Sequence, residues 1–395
     1  MSDLFAAKLP TRKSERWRYT PLNVFERENY RACYSGDAPD LGSINQALPA
    51  DLSALKIVFA NGVLLSALDA PEYHSDQLQV EWVDDDAADS LVDAGRHFFA
   101  AMNIRENRKC LRVRVKKHCV VDKPLLLAHF ASAGSAAFNA LLRVRVELEE
   151  GASLTLVEHF VSSPQEQNGF INNVTELVAG KHAELNHYRI HDEQEDLVNI
   201  GSVHADLHEA SRLSSFSALF GTKLTRLDID VRHRGEGAHC ELRGMYLPKH
   251  RQHVELHTCI DHCVPRCSSD EVFRGIVADS ARAVFNGRIH ILRDAQKTSA
   301  QLSNRNLLTS NKAEVDTKPE LEIYADDVRC SHGATVAMVD EQSIYYLRSR
   351  GISEKFAKTM LSFAFIEELL NGLTLTALAN YLRERLHKRF DEKVF

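Results

Sequence analysis

The feature that most constrains this chain is a recurring corner. Gly151-Ala152-Ser153-Leu154, His182-Ala183-Glu184-Leu185, Ala210-Ser211-Arg212-Leu213 and Ala238-His239-Cys240-Glu241-Leu242 each set small residues before a leucine. The leucines follow one another after 31, 28 and 29 residues. Ala281-Arg282-Ala283-Val284 and Lys312-Ala313-Glu314-Val315 read as two later members, after one longer interval. Apolar residues alternate in the same region, as in Leu111, Val113, Val115 and again in Leu142, Val144, Val146, Leu148. Alternation describes half-buried strands. A short strand–corner–strand unit cannot bury its own apolar face and must stack on the next, which predicts a β-solenoid. The competing arrangement is a β-sandwich with coincidental spacing.

The flanks read differently. The first 50 residues are polar and broken by Pro10, Pro21 and Pro39. Leu55 to Val83 suggests short strands, and Asp86 to Met102 reads as a helix with Ala87, Leu91, Ala94 and Phe98 at helical spacing. Helical periodicity then vanishes until Ser353, which can cap a helix carrying Phe356, Met360, Phe363 and Ala364 and ending near Asn371-Gly372. Thr374 can cap a second helix with Leu375, Leu378, Leu382 and Leu386 aligned. The expected organisation is a mixed α/β region over 1–109, the solenoid over 110–350 and a helical, partner-docking region over 351–395. The class is mainly β.

Charge and composition remove several functions. Asp and Glu outnumber Lys and Arg, for a net charge of −7, which argues against a nucleic-acid binder relying on phosphate neutralisation. No apolar run approaches a membrane span, and Met1 to Leu9 lacks a signal peptide's apolar core, so a cytoplasmic location is expected. Gly235-Glu236-Gly237 is followed by a strand pattern where a dinucleotide fold needs a helix. Gly221-Thr222-Lys223 lacks the spacing of a phosphate-binding loop, so the chain is not expected to hydrolyse nucleotide by itself.

Two groups of residues could carry chemistry. Cys259, Cys263 and Cys267, with His257 and His262, offer thiolate and imidazole ligands, but their spacing is not that of two separated ligand pairs, and Pro265 breaks a helix that would align them. Cys330-Ser331-His332 is the stronger candidate. In a strand both side chains share a face about 7 Å apart, within reach of one iron or persulfide-bearing site. Asp326 and Asp327 alternate faces, so they cannot flank one sugar bond as a glycoside-processing β-helix requires.

Several stretches resemble the SufB/SufD family of iron–sulfur cluster assembly scaffold proteins. They are Thr317 to Val336, including Tyr324-Ala325-Asp326-Asp327-Val328-Arg329-Cys330-Ser331-His332-Gly333, together with Val284–Ile289, Ala295–Thr298, Asn304–Leu308 and Tyr346–Gly351. Thr11 to Leu22, with Trp17, Tyr19 and Pro21, resembles the SufD branch. Ala337 stands where that pattern has glycine, and the leader before Thr11 is short for it. The resemblance implies a right-handed parallel β-helix core and a complex with SufB and two copies of the ABC-type ATPase SufC. It places SufC on the C-terminal helices and SufB on the β-helix surface, with a homodimer left open for the isolated chain. It implies that iron reaches a nascent cluster near the SufB–SufD interface, where Cys330 and His332 match positions of the site. The partner completes the ligation, and iron or cluster is held only transiently. A carbohydrate-active β-helix enzyme and a zinc-binding structural protein are the alternatives.

Overall fold

The computed structural model describes residues 9–25, 31–32, 41–132, 137–165 and 168–391; Cys33 and Pro39 lie outside them. The N-terminal region contributes β1 (Arg31–Ala32), α1 (Leu41–Ala47), β2 (Leu55–Ala60), β3 (Val63–Leu64), β4 (Leu78–Asp84) and α2 (Phe98–Glu106). The solenoid begins with β5 (Lys109–Val115), β6 (Leu125–Ala131), β7 (Phe138–Leu148), β8 (Ser153–Ser162), β9 (Gly169–Ala179) and β10 (Glu184–Asp192). It continues through β11 (Val198–Leu207), β12 (Arg212–Leu219), β13 (Leu224–His233), β14 (His239–Tyr246) and β15 (His253–His262). It ends with β16 (Ser268–Val277), β17 (Arg282–Ile291), β18 (Ser299–Leu308), β19 (Glu314–Ile323) and β20 (Arg329–Met338). Three helices follow: α3 (Glu341–Ser349), α4 (Glu354–Asn371) and α5 (Thr376–Asp391).

From β5 the odd-numbered strands form one parallel sheet, A, and the even-numbered strands another, B. Alternating strands stacked in this way make a β-solenoid of about seven turns between residues 111 and 338. The first residues of the sheet B strands, Ser153, Glu184, Arg212, His239, Ser268, Ser299 and Arg329, stand in register 27–31 residues apart. Side chains from the two inner faces, among them Leu154, Leu185, Leu213, Val231, Phe273 and Phe285, form one continuous core.

The corner has a backbone cause. Gly151, His182, Ala210, Gly237, Arg266 and Lys297 all have positive φ, between 51° and 71°. Each is followed by a small or medium residue packed at the bend: Ala152, Ala183, Ser211, Ala238, Cys267 and Thr298, all buried. The left-handed residue turns the chain into the next strand at a cost ordinarily avoided outside glycine. Register also corrects the reading of the repeat. The partner of Leu213 is Cys240, not Leu242, and the corners at Ala281 and Ala313 open β17 and β19 in sheet A rather than continuing sheet B. The sheet B series runs on through Cys267-Ser268 and Thr298-Ser299, where bulkier residues replace alanine.

The outer faces are covered from opposite ends of the chain. On sheet B, Tyr188, Phe216, Met245 and Ile276 pack with Ile44 of α1, Ile366, Leu369 and Leu370 of α4, and Leu378, Leu382 and Leu386 of α5. The C-terminal helices therefore lie along the side of the solenoid instead of plugging its end. Ser353 caps α4 by accepting from Phe356 N at 3.3 Å, and Gly372 ends it. Thr374 does not cap α5; its hydroxyl bonds the Tyr188 phenol at 2.8 Å, and the helix starts at Thr376. Helix α3, capped by the Asp340 carboxylate, precedes Ser353 and interrupts the span assigned to strands. Ile344 is its one buried residue, too little to give a readable stripe.

On sheet A the cover is the segment resembling the SufD branch. Trp17 and Phe25 pack with Phe99, Met102, Phe170 and Val198. The Arg226 guanidinium, fully buried, lies 4.0 Å from the Trp17 ring centre and donates to Asp228, Glu255 and the Thr20 hydroxyl at 2.8–3.0 Å. Residues 86–97, expected as the start of a helix, are irregular. Ala87 has φ +59°, outside any right-handed helix, and its N–H is held by the Asp85 carboxylate at 2.7 Å. The helix begins only at Phe98.

Candidate functional site

The two faces are covered, but one end of the solenoid is not. Strands β19 and β20 are the terminal members of their sheets, each hydrogen-bonded to a single neighbour. Every residue of β20 is exposed or half-exposed, and apolar side chains stand open here: Tyr324 at 61%, Val336 at 43% and Met338 at 49%. Ten-residue strands with a free edge are templates for pairing, and proteins ordinarily blunt them. At the other end the chain spends β2, β3 and β4 closing the sheets, β3 and β4 by antiparallel pairing.

Cys330 and His332 lie on this open strand. Cys330 continues the inward column Leu154, Leu185, Leu213, Cys240, Ser269 and Ala300; His332 continues Leu242, Glu271 and Leu302. Both side chains therefore occupy the core-side face of the last turn, where the next layer would stack. Cys330 packs against the core and is half-buried; His332 is exposed. Burial raises the Cys330 thiol pKa, with the Ala300 N–H working against it. The thiolate needs a metal or a partner's positive charge to form at neutral pH. Among the described residues, no third His, Cys, Asp or Glu ligand atom joins the pair in a three-ligand group.

The other thiols disperse. Cys259 faces outward from sheet A, between the Arg96 and Arg288 guanidinium groups at 3.4 and 3.5 Å. Cys267 is a buried corner residue of the core, and Cys263 is half-buried after β15. His257 bonds Glu255 at 3.1 Å, and His262 bonds Ser269 at 3.0 Å on the inner side. Burial lifts Cys259 and Cys267 to about 11 and Cys110 to about 12. These residues do not converge on a zinc site. Asp326 and Asp327 are exposed in the turn before β20.

Sequence reasoning missed two features that only register assembles. Inside the solenoid, Glu158 accepts from Arg189 at 2.8 Å, His187 at 2.9 Å and Thr175 at 2.8 Å. Burial opposes ionisation of Glu158, yet the Arg189 guanidinium and the His129 and His187 imidazoles hold its pKa well below the carboxylate range. Outside, beneath the N-terminal cover, His97 Nε2 meets Asp230 Oδ2 at 2.6 Å, and the His204 ring stands edge-on to His97 with centres 4.7 Å apart. Alternation could have marked Glu158 and His187 as inward-facing in their strands, but not as partners. For His97, His204 and Asp230 the sequence held no signal.

Comparison with known proteins places the chain in a family. The family described as "SUF system FeS cluster assembly, SufBD core domain" matches residues 130–365. The iron–sulfur cluster assembly protein SufD of Escherichia coli K12 is 34% identical over 98% of this chain and 91% of its own length. An iron–sulfur cluster assembly SufBD family protein of Synechocystis is 28% identical over 96% of this chain and 87% of its own. Protein ABCI7 of Arabidopsis chloroplasts is 32% identical over 65% of this chain and 56% of its own. With a family match across more than half its length and a full-length relative above 30% identity, this chain belongs to the SufBD family of iron–sulfur cluster assembly proteins and is SufD-like.

Proposed function

We propose that this chain is a non-catalytic scaffold subunit of the SufD type, which joins SufB and the ATPase SufC to build a nascent iron–sulfur cluster. The observation that carries the reading is the open end of the solenoid, an uncapped pair of strands presenting a thiol and an imidazole on one face. Two ligands cannot complete an iron site that wants four, so SufB or a sulfur donor supplies the rest. Cluster and iron are cargo, held only while the partners are in place. SufB docks by continuing the stack at β19 and β20, hiding their free edges and Tyr324, Val336 and Met338. SufC docks on α4, where Phe356 and Met360 remain 59% and 40% exposed while Ile366, Leu369 and Leu370 are spent on sheet B. Exposed aromatic and methionine side chains on one helix suit a partner groove.

Hydrogen–deuterium exchange of the chain with and without SufB tests the docking. The expected result is new protection across Arg329–Met338 and Glu314–Ile323. Protection confined to other surfaces would overturn it.

A further inference from the structure

The group beneath the N-terminal cover is built from three distant parts of the chain. His204 on β11 and Asp230 on β13 are direct register partners on the outward face of sheet A. His97 arrives from the other side, as the residue before α2. Each offers one ligand atom, and the three atoms lie within 4.8 Å of one another. The hydrogen bonding around them is incomplete: His204 Nε2 and Asp230 Oδ1 are buried and make no hydrogen bond. Asp230 Oδ1 has only an Arg16 guanidinium at 3.8 Å. Buried polar atoms are ordinarily satisfied; here a carboxylate oxygen, and an imidazole nitrogen that accepts whenever the ring proton sits on Nδ1, are left without a hydrogen bond in one cluster, which suits an electrophile.

We propose that His97, His204 and Asp230 bind a divalent first-row transition-metal ion at a site separate from Cys330 and His332. Two imidazoles and one carboxylate with a coordination position left open is a donor set suited to Fe(II) and Zn(II). Around such an ion, with bonds of about 2.1 Å, the His97–Asp230 contact opens from 2.6 Å and His204 closes in. The ion takes the place now filled by Arg16, which stands 3.4 Å from both His97 ring nitrogens. Arg16 can yield. Its side chain and that of Arg96, also 3.8 Å from Asp230, are 23% and 32% exposed, and both line a cavity of about 610 Å³ that gives access from solvent. Because His97 belongs to the N-terminal region while His204 and Asp230 belong to the solenoid, the ion fastens one to the other.

The test is anaerobic titration of the full-length chain with Co(II) as a spectroscopic probe, followed by competition with Fe(II) and with Zn(II). One equivalent should bind with micromolar affinity or better, and Zn(II) should displace Co(II) more strongly than Fe(II) does. His204→Ala and Asp230→Asn should each weaken binding by at least about 10–100-fold, the loss that even an outer-sphere partner commonly brings. The double variant Cys330→Ala/His332→Ala should bind as the wild type does, so this site and the cluster site fail independently. His97→Gln serves as a third variant should either β-strand substitution unfold the chain. Absence of saturable binding in the wild type, full affinity in the folded ligand variants, or binding lost only with Cys330 and His332 would overturn the proposal.

Discussion

Glu271 offers a sharp test of the solenoid core. It sits in the inward column between Leu242 and Leu302, fully buried, and neither carboxylate oxygen has a hydrogen-bond partner by geometry. Burial raises its pKa from the usual 4.5 to about 8; the Thr258 hydroxyl opposes this and Asp270 adds to it. The folded state thus keeps a proton that the unfolded chain releases, so stability falls as pH rises between those values. At about 1.4 kcal/mol per pH unit, the loss is about 3 kcal/mol at pH 7 and levels off near 5 kcal/mol above about pH 9. These are upper bounds, because a buried carboxylate draws in water as it ionises. Glu271→Gln removes the titration while nearly keeping the side chain's size and shape, and any cost of its buried amide is the same at every pH. Melting temperatures of the two proteins, recorded at one scan rate from about pH 5 to pH 9, should keep a constant gap at the acid end and then shift in the variant's favour, by roughly 6 °C for a chain of this length. A gap that stays pH-independent throughout, or one that moves in the wild type's favour as pH rises, would refute the placement of this carboxyl in an apolar interior.

Other substitutions probe the corners and the helices. At Gly237 φ is +71° and an added Cβ meets nothing closer than 4.0 Å, so Gly237→Ala should cost only the left-handed penalty, about 1–2 kcal/mol. At Gly235 a Cβ would lie 1.9 Å from the Glu209 backbone nitrogen; Gly235→Ala should lower the melting temperature markedly more than Gly237→Ala, because one coil must move off another. Phe356→Ala with Met360→Ala should weaken SufC binding in pull-down by at least about 10-fold, the equivalent of about 1.4 kcal/mol, without changing the melting temperature. Removing 353–395 altogether should unfold or aggregate the chain, since it strips the cover from Tyr188, Phe216, Met245 and Ile276.

The solenoid was legible because alternation and corner spacing are imposed by backbone geometry, which every coil obeys. Register was less legible. The corner requires a left-handed residue, and glycine, histidine, alanine, arginine and lysine all fill that position here, so no single letter marks it. That is why Leu242 looked equivalent to Leu213 when Cys240 is, and why Cys267 resembled a ligand when it is a corner packing residue. The shared face of Cys330 and His332 followed from their spacing alone. That this face is the last layer of the stack emerged only once the strands were paired. Nothing in the sequence joined His97 to His204 and Asp230, because their proximity depends on an irregular segment crossing sheet A. Residues 86–97 were misread for the same reason: Ala87 and Leu91 have helical spacing, but the Asp85 carboxylate and the positive φ of Ala87 decide the backbone.

The most direct measurement is the iron and sulfide bound per complex after anaerobic reconstitution with SufB and SufC, using wild type, Cys330→Ala and His332→Ala. His332 is exposed and Cys330 only half-buried at the last turn of the stack, so the variants should fold and assemble with little loss in melting temperature. Each should nonetheless yield substantially less cluster, because a ligand at the open end is missing. Wild-type cluster yield in both variants would contradict the assignment of this edge as the place where the cluster is built.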